Sequence, residues 1–261
     1  MNKVCYLIPY YNAYEDLIVS LDSLSEGVDV VIVDDGSSSP LIDRLDKTKY
    51  SFNIFILTMT KNMGIEHALN YGIDYIFGKY EYVARLDAGD KSYDNRIEKQ
   101  LGCMGDDVIL VGSWANFVDE QYNFIFTSKL PQRDSEIRKK LYLNNVFVHP
   151  SVMMNVDAVV AAGRYPTNTK CAEDYGLFFE LSKRGRVINL GIPLIDYVVS
   201  PNSLSSLKRK QQIRSRLKIV VRNYEAKYTF YFVRGVFRCF LSYVAPRQLT
   251  TFLRRFISAY E

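Results

Sequence analysis

Cysteine is scarce and scattered in this chain. Cys5, Cys103, Cys171 and Cys239 lie far apart and form no C-x-x-C pair. That argues against a zinc site or a disulfide framework and suits a reducing compartment. Long apolar runs are missing too: no charge-free stretch approaches the ~18 residues needed to cross a bilayer. Met1-Asn2-Lys3 leads straight into a short strand-like segment, with no apolar stretch and cleavage site of the secretory kind, so no signal peptide is expected. There is no internal repeat and no low-complexity linker. G-x-G-x-x-G, which a dinucleotide oxidoreductase would carry after its first strand, is also absent; Pro9-Tyr10-Tyr11-Asn12 stands there instead.

What is present is a chain of 261 residues, 48% hydrophobic and 24% charged. Those are the proportions of a folded protein with one substantial core and room for an appendage. The net charge of +4 hides an asymmetry. Residues 201–261 hold 13 Lys/Arg against Glu225 and Glu261, whereas residues 1–200 hold 20 Lys/Arg against 27 Asp/Glu. An acidic body over 1–200 and a basic tail over 201–261 imply two jobs.

Read in order, Val4–Ile8 predicts a buried strand stopped by Pro9, and Glu15–Leu24 has the apolar spacing of a helix. Val28–Val33 is a second strand, ending in the turn-rich Asp34-Asp35-Gly36-Ser37-Ser38-Ser39-Pro40. Ile54–Leu57 is a third, and Asn62-Met63-Gly64 turns the chain into a helix from Ile65 to about Phe77. A strand over Tyr82–Leu86 follows, then a helix near Asn95–Cys103 and a strand over Val108–Val111. Strands alternating with helices at this spacing predict βαβ units and an α/β fold with a mostly parallel sheet.

The strand before Asp87-Ala88-Gly89-Asp90 ends in two carboxylates separated by the two smallest residues. In an open α/β sheet, ligands bind outside the carboxyl ends of the strands. Asp87 and Asp90 there would offer oxygen ligands to Mg²⁺ or Mn²⁺, with phosphate oxygens and water filling the other positions. The plainer reading is a turn, because Asp and Gly are turn formers.

Pro9-Tyr10-Tyr11-Asn12, Val33-Asp34-Asp35-Gly36-Ser37, Asn62-x-Gly64 with Ala68-Leu69-Asn70, and Arg85-Leu86-Asp87-Ala88-Gly89-Asp90 follow one another in register. Together with His149-Pro150-Ser151 and Ala172-Glu173-Asp174-Tyr175 they resemble glycosyltransferase family 2, and in particular its bacterial surface-polysaccharide members. The resemblance implies a GT-A fold, a Rossmann-like sheet flanked by helices, with a C-terminal helical extension. It also implies an inverting, metal-dependent transfer of a sugar from a nucleotide-diphosphate donor, most often a UDP-sugar. The acceptor it implies is a lipid-linked oligosaccharide of O-antigen, capsule or similar polymer synthesis.

Carried over residue by residue, the resemblance puts Pro9, Tyr11, Asn12, Asp34, Asp35, Asn62, Gly64, Arg85, Asp87 and Ala88 around the nucleotide-sugar. Asp87 and Asp90 would hold Mn²⁺ or Mg²⁺, and Asp174 would be the general base. One departure stands out: the family commonly has a third acid where this chain has Gly89. Each position has an ordinary reading as well, namely a helix cap for Asp34 or Asp35, core packing for Tyr11, and acids complementing a helix dipole for Glu173-Asp174. Arg85 would pair with a carboxylate or a phosphate. His149, ahead of Pro150 and so expected to be extended, Trp114 and Glu173 are candidates for acceptor or phosphate contacts.

From Ser206 to Ile257 the spacing is helical, with a break expected at Pro246. Lys227, Arg234 and Arg238 are spaced to share a helix face, and aromatic and aliphatic residues fill much of the remainder. A basic amphipathic helix of this composition can lie on an anionic membrane surface. Packing against the body is the plainer alternative, and no nucleic-acid module is recognisable. The expectation is a peripheral protein on the cytoplasmic face of the membrane. Two rivals remain: a nucleotide-sugar-binding membrane-surface protein with a decayed site, or a nucleotidyltransferase of related fold. The latter would open with a Gly-rich phosphate loop.

Overall fold

The computed structural model describes residues 2–24, 27–105, 107–199 and 208–244. Strands β1 (Asn2–Tyr10), β2 (Asp29–Asp34), β3 (Ile54–Thr58) and β4 (Tyr80–Arg85) pair in parallel, in the order β3-β2-β1-β4. Their side chains alternate between two cores. Cys5, Leu7, Val31 and Val33 lie in one, and Val4, Tyr6, Ile8, Val30 and Ile32 in the other. Burial on both faces is why these strands read as unbroken apolar runs. Helices α1 (Tyr14–Asp22) and α3 (Arg96–Leu101) cover one face, and α2 (Ile65–Ile76) covers the other. Helix α2 sits so close that a Cβ on Gly72 would come within 2.4 Å of Leu7 Cδ1.

The second half of the sheet is mixed. Strand β8 (Met153–Asn155) runs antiparallel between β4 and β6 (Val108–Val118), and β6 runs parallel to β9 (Arg186–Val198). Strands β5 (Lys91–Ser92) and β7 (Phe124–Ser128) add antiparallel pairings. Helices α4 (Asp134–Leu141), α5 (Val156–Ala161) and α6 (Glu173–Ser182) complete the first core.

Two boundaries differ from expectation for a physical reason. Strand β1 continues through Pro9 to Tyr10, where it still pairs with β2. Hydrogen bonding alternates along a central parallel strand. The Leu7 carbonyl bonds the Leu86 N–H on the β4 side, and the Tyr10 carbonyl bonds the Asp35 N–H on the β2 side. Pro9 therefore faces β4, beyond the last β1–β4 pair, and the Leu86 carbonyl is taken by Arg85 Nη1 at 2.9 Å instead. His149 is not extended but opens a 3₁₀ turn over His149–Ser151, closed by the Ser151 N–H on the Val148 carbonyl.

The C-terminal region forms α7 (Arg209–Arg222) and α8 (Thr229–Val244). The chain breaks near Asn223, whose carbonyl accepts from the Tyr142 hydroxyl at 2.6 Å. Pro246 and residues 245–261 lie outside the described residues. Lys227 falls in the 3₁₀ turn before α8 and pairs with Glu225 at 2.8 Å, so it does not share the helix face of Arg234 and Arg238. Ile219 and Val220 enter the first core. A Cβ on Gly235 would come 2.0 Å from the Tyr142 carbonyl oxygen, so only glycine permits this approach of α8 to the body. The opposite face of α8 leaves Phe230, Val233, Phe237 and Phe240 57–65% exposed.

Candidate active site

The site begins where β4 ends. Arg85 is fully buried, and its Nη1 donates to the Leu7 carbonyl at 2.7 Å as well as to Leu86, while Nη2 pairs with Asp87 Oδ1. Its Nε donates to His149 Nε2 at 3.3 Å, and the Tyr165 hydroxyl meets the same nitrogen at 2.9 Å. A guanidinium only donates, so Nε2 is an acceptor and the imidazole proton sits on Nδ1. Loss of solvent and the Arg85 charge push His149 down to about 3 despite Asp87, which leaves the ring neutral near pH 7. Enclosure raises the Asp87 carboxyl, but the charge and hydrogen bond of Arg85 outweigh it and hold Asp87 below the usual range.

Asp90 differs from Asp87 in nearly every respect. Its Oδ1 accepts from the Val198 N–H at 2.9 Å, and its buried Oδ2 has no hydrogen-bond partner. Burial, reinforced by the Asp87 charge, pushes it well above the usual range. Their surroundings thus push the two neighbouring carboxyls in opposite directions. Ser20 Oγ ties the loop together, donating toward the Asp90 carbonyl at 2.8 Å and accepting from the Gly89 N–H at 2.9 Å. Gly89 has φ +100°, a conformation that an acidic residue would adopt only with strain.

Asp34 and Asp35, at the end of β2, are both almost wholly buried. The oxygens of Asp34 accept from the N–H groups of Ser37 and Leu41, each at 2.9 Å. Those of Asp35 accept from Met63 at 2.8 Å and Gly64 at 2.9 Å. Asp35 therefore shapes the Asn62–Gly64 loop, where Gly64 takes φ +104° ahead of α2. Asn12, also left-handed, accepts from the Ser38 N–H at 3.0 Å, joining the loops after β1 and β2. Tyr11 is 49% exposed beside them.

A cavity of about 690 Å³ opens at this sheet edge. Asn62, Gly64, Asp87, His149, Glu173 and Asp174 line it, together with Glu66, Asn145, Phe117 and Tyr197. Asp174 stands in the first turn of α6, and its Oδ2 accepts from Asn145 Nδ2 at 2.7 Å. Burial raises its carboxyl above the usual range, against backbone and Asn145 hydrogen bonds that lower it. Burial and then the Asp174 charge raise Glu173 to about 7, and its Oε2 is buried without a partner. Pro9, Tyr11, Asn12, Asp34, Asp35, Ala88 and Asp90 do not line this cavity; Asp35 reaches it through the loop it holds. Trp114 lies outside as well, its indole N–H on the Leu130 carbonyl at 2.9 Å.

Sequence reading overlooked Ser20, Glu66, Asn145 and Tyr165, none of which stands in a motif. Glu66 alone carried a signal, as an acid in the first turn of the helix entered from the Asn62–Gly64 loop. Among the described residues, no three His, Cys, Asp or Glu side chains form a complete metal cage. The cavity does offer the Asp87 carboxylate, whose Oδ1 is engaged by Arg85. One carboxylate with substrate phosphates suits Mg²⁺ or Mn²⁺.

Several known proteins resemble this chain. It is 29% identical over 212 residues to an Escherichia coli UDP-Gal:α-D-GlcNAc-diphosphoundecaprenol β-1,3-galactosyltransferase, covering 78% of this chain and 72% of that enzyme. It is 28% identical to the amylovoran biosynthesis glycosyltransferase AmsB of Erwinia amylovora, covering 73% of this chain and 68% of the relative. Among solved structures, TarS 1–349 of S. aureus in complex with UDP-GlcNAc matches with a TM-score of 0.70 at 15% identity, over 92% of this chain and 73% of that one. The mannosyltransferase PcManGT of Pyrobaculum calidifontis, in complex with GDP-Man and Mn²⁺, matches with a TM-score of 0.65 at 14% identity, over 98% and 80%. The fold is therefore that of the GT-A glycosyltransferases. Residues 5–161 match the family model "Glycosyl transferase family 2", and the chain belongs to that family.

Proposed function

We propose that this glycosyltransferase moves a sugar, with inversion, from a UDP-sugar to a saccharide carried on a lipid diphosphate, in the synthesis of a bacterial surface polysaccharide. The observation that carries the reading is the meeting of Asp87, from the end of β4, and Asp174, from the start of α6, on one cavity wall system. An inverting displacement has one step. The acceptor oxygen bonds to the anomeric carbon, the bond from that carbon to the donor phosphate oxygen breaks, and the leaving diphosphate keeps the electron pair. The acceptor hydroxyl loses its proton as this happens, and Asp174, steadied by Asn145, receives it.

Arg85 keeps Asp87 ionised and fixed in direction. Asp87 would hold a divalent cation together with donor phosphates; when bound, the ion neutralises charge on the leaving diphosphate. Tyr11 offers a ring to the nucleobase, and Asp35 sets the loop beside it. Asp90 braces the loop from behind. The exposed apolar stripe of α8, with Arg234 and Arg238, supports seating on the cytoplasmic face of an anionic membrane.

Purified protein supplied with UDP-sugars, Mn²⁺ and a lipid-diphosphate saccharide should form a product of increased mass. Asp87→Ala and Asp174→Ala should each abolish it. Full activity in both variants defeats the reading.

A further inference from the structure

Both substrates of the proposed reaction contain a diphosphate, and each needs positive charge beside it. Glu66, Asp87, Glu173 and Asp174 make the wall of the reaction cavity strongly acidic, and a cation held at Asp87 would serve the donor. A second diphosphate would be repelled from that wall and needs cations of its own. They are present at one end. Lys170 and Lys208 line the cavity where it meets α7, and neither makes an ion pair among the described residues.

Lys170 also lines an adjoining hollow of about 260 Å³ between the Thr167–Lys170 segment and α7. Arg214 and Lys218 supply its other charges, and no acid lines it. Ser215 Oγ donates to the Lys170 carbonyl at 2.9 Å and fixes the two walls together. Arg214 Nη2 donates to the Tyr243 hydroxyl at 2.7 Å, so the guanidinium is oriented by a neutral partner and keeps its charge. Tyr243 belongs to α8, whose exposed apolar stripe lies on the same two-helix unit. Apolar helix face, cationic hollow and reaction cavity thus follow one another, linked through Tyr243–Arg214 and through Lys170, which stands four residues before Asp174.

We infer that the hollow bounded by Lys170, Arg214 and Lys218 binds the diphosphate of an isoprenoid-diphosphate acceptor. The lipid would run along α8 and the saccharide would point toward Asp174. This rests on the proposed function. Ammonium and guanidinium groups suit phosphate oxygens through charge-assisted hydrogen bonds, and Lys170, Arg214 and Lys218 bring three such cations to one open hollow.

The test uses the full chain and farnesyl diphosphate as probe, titrated calorimetrically beside farnesyl monophosphate, inorganic pyrophosphate, UDP with Mn²⁺, and vesicles containing anionic lipid. Wild-type protein should prefer farnesyl diphosphate to the monophosphate. Lys170→Ala with Lys218→Ala should weaken farnesyl diphosphate binding by about tenfold or more while UDP binding changes less than twofold. Arg222→Ala, just beyond the hollow, should leave both unchanged and so separates a local contact from general charge. Three results would overturn the inference: unaltered farnesyl diphosphate binding in the double variant, parallel loss of UDP binding, or a loss confined to vesicles. Failure of the wild-type protein to bind UDP at all would instead strike the proposed function.

Discussion

Two pairs of adjacent acids occupy comparable places in this molecule, at the mouth of one sheet edge, and they are wired in opposite ways. Asp34 and Asp35 spend all four carboxylate oxygens on backbone N–H groups of Ser37, Leu41, Met63 and Gly64. Glu173 is buried and Asp174 half-buried, and for both the loss of solvent outweighs the donors they have. One Glu173 oxygen has no partner, Asp174 has one side-chain donor, and burial raises both. A carboxylate saturated with donors holds loops, whereas one left wanting a proton can take one from a substrate. Adjacent acids in a sequence therefore say little until their donors are known.

The contrast can be broken most directly at Asp174. Asp174→Asn keeps the shape and the contact with Asn145 but removes the base, so kcat should fall by about 10³-fold with Tm nearly unchanged. A large loss of Tm with modest loss of kcat would make Asp174 a scaffold acid instead. Asp35→Ala should do the reverse. Losing two charge-assisted hydrogen bonds to the Met63–Gly64 loop should cost about 4 kcal/mol in denaturant unfolding. Its effect on kcat should be smaller than that of Asp174→Asn.

Glu173 sharpens the comparison through pH. Its carboxyl ionises near 4.5 when unfolded and at about 7 when folded. The native state therefore binds the extra proton between those values, and stability falls as pH rises from about 4.5 to about 7. The penalty should reach about 3 kcal/mol above pH 7. Glu173→Gln should remove it, so the Tm difference between variant and wild type should open across that window and stay constant above it. A difference independent of pH would mean that Glu173 finds a donor.

The smallest effect on the fold is expected at α8. Phe237→Ser with Phe240→Ser changes side chains that are 60% and 61% exposed, so unfolding free energy should shift by less than about 0.5 kcal/mol. Sedimentation with anionic vesicles should nonetheless drop sharply; undiminished sedimentation would remove α8 from the membrane reading.

Much of this site was legible because the strands are buried on both faces. Apolar runs announced β1, β2 and β4, so the acids following them could be assigned to one sheet edge from the sequence. Asp87 and Asp174 both line the cavity there. The inward turn of Asp90 was not legible, because it depends on the N–H of Val198 at the far end of β9. Nor was the place of Trp114 on the Leu130 carbonyl, nor the division of the tail at Asn223. A three-residue strand such as β8 carries too little pattern to disclose its antiparallel direction.

Local chemistry by itself determined the order of strands and helices, the glycine at position 89 and the acids awaiting use, since periodicity and backbone freedom are properties of neighbours along the chain. Which acids would be ionised, and which merely tied down, was decided by tertiary structure alone. Those states depend on donors delivered from distant segments, such as Arg85 to Asp87 and Asn145 to Asp174, and on water that only a closed core can exclude.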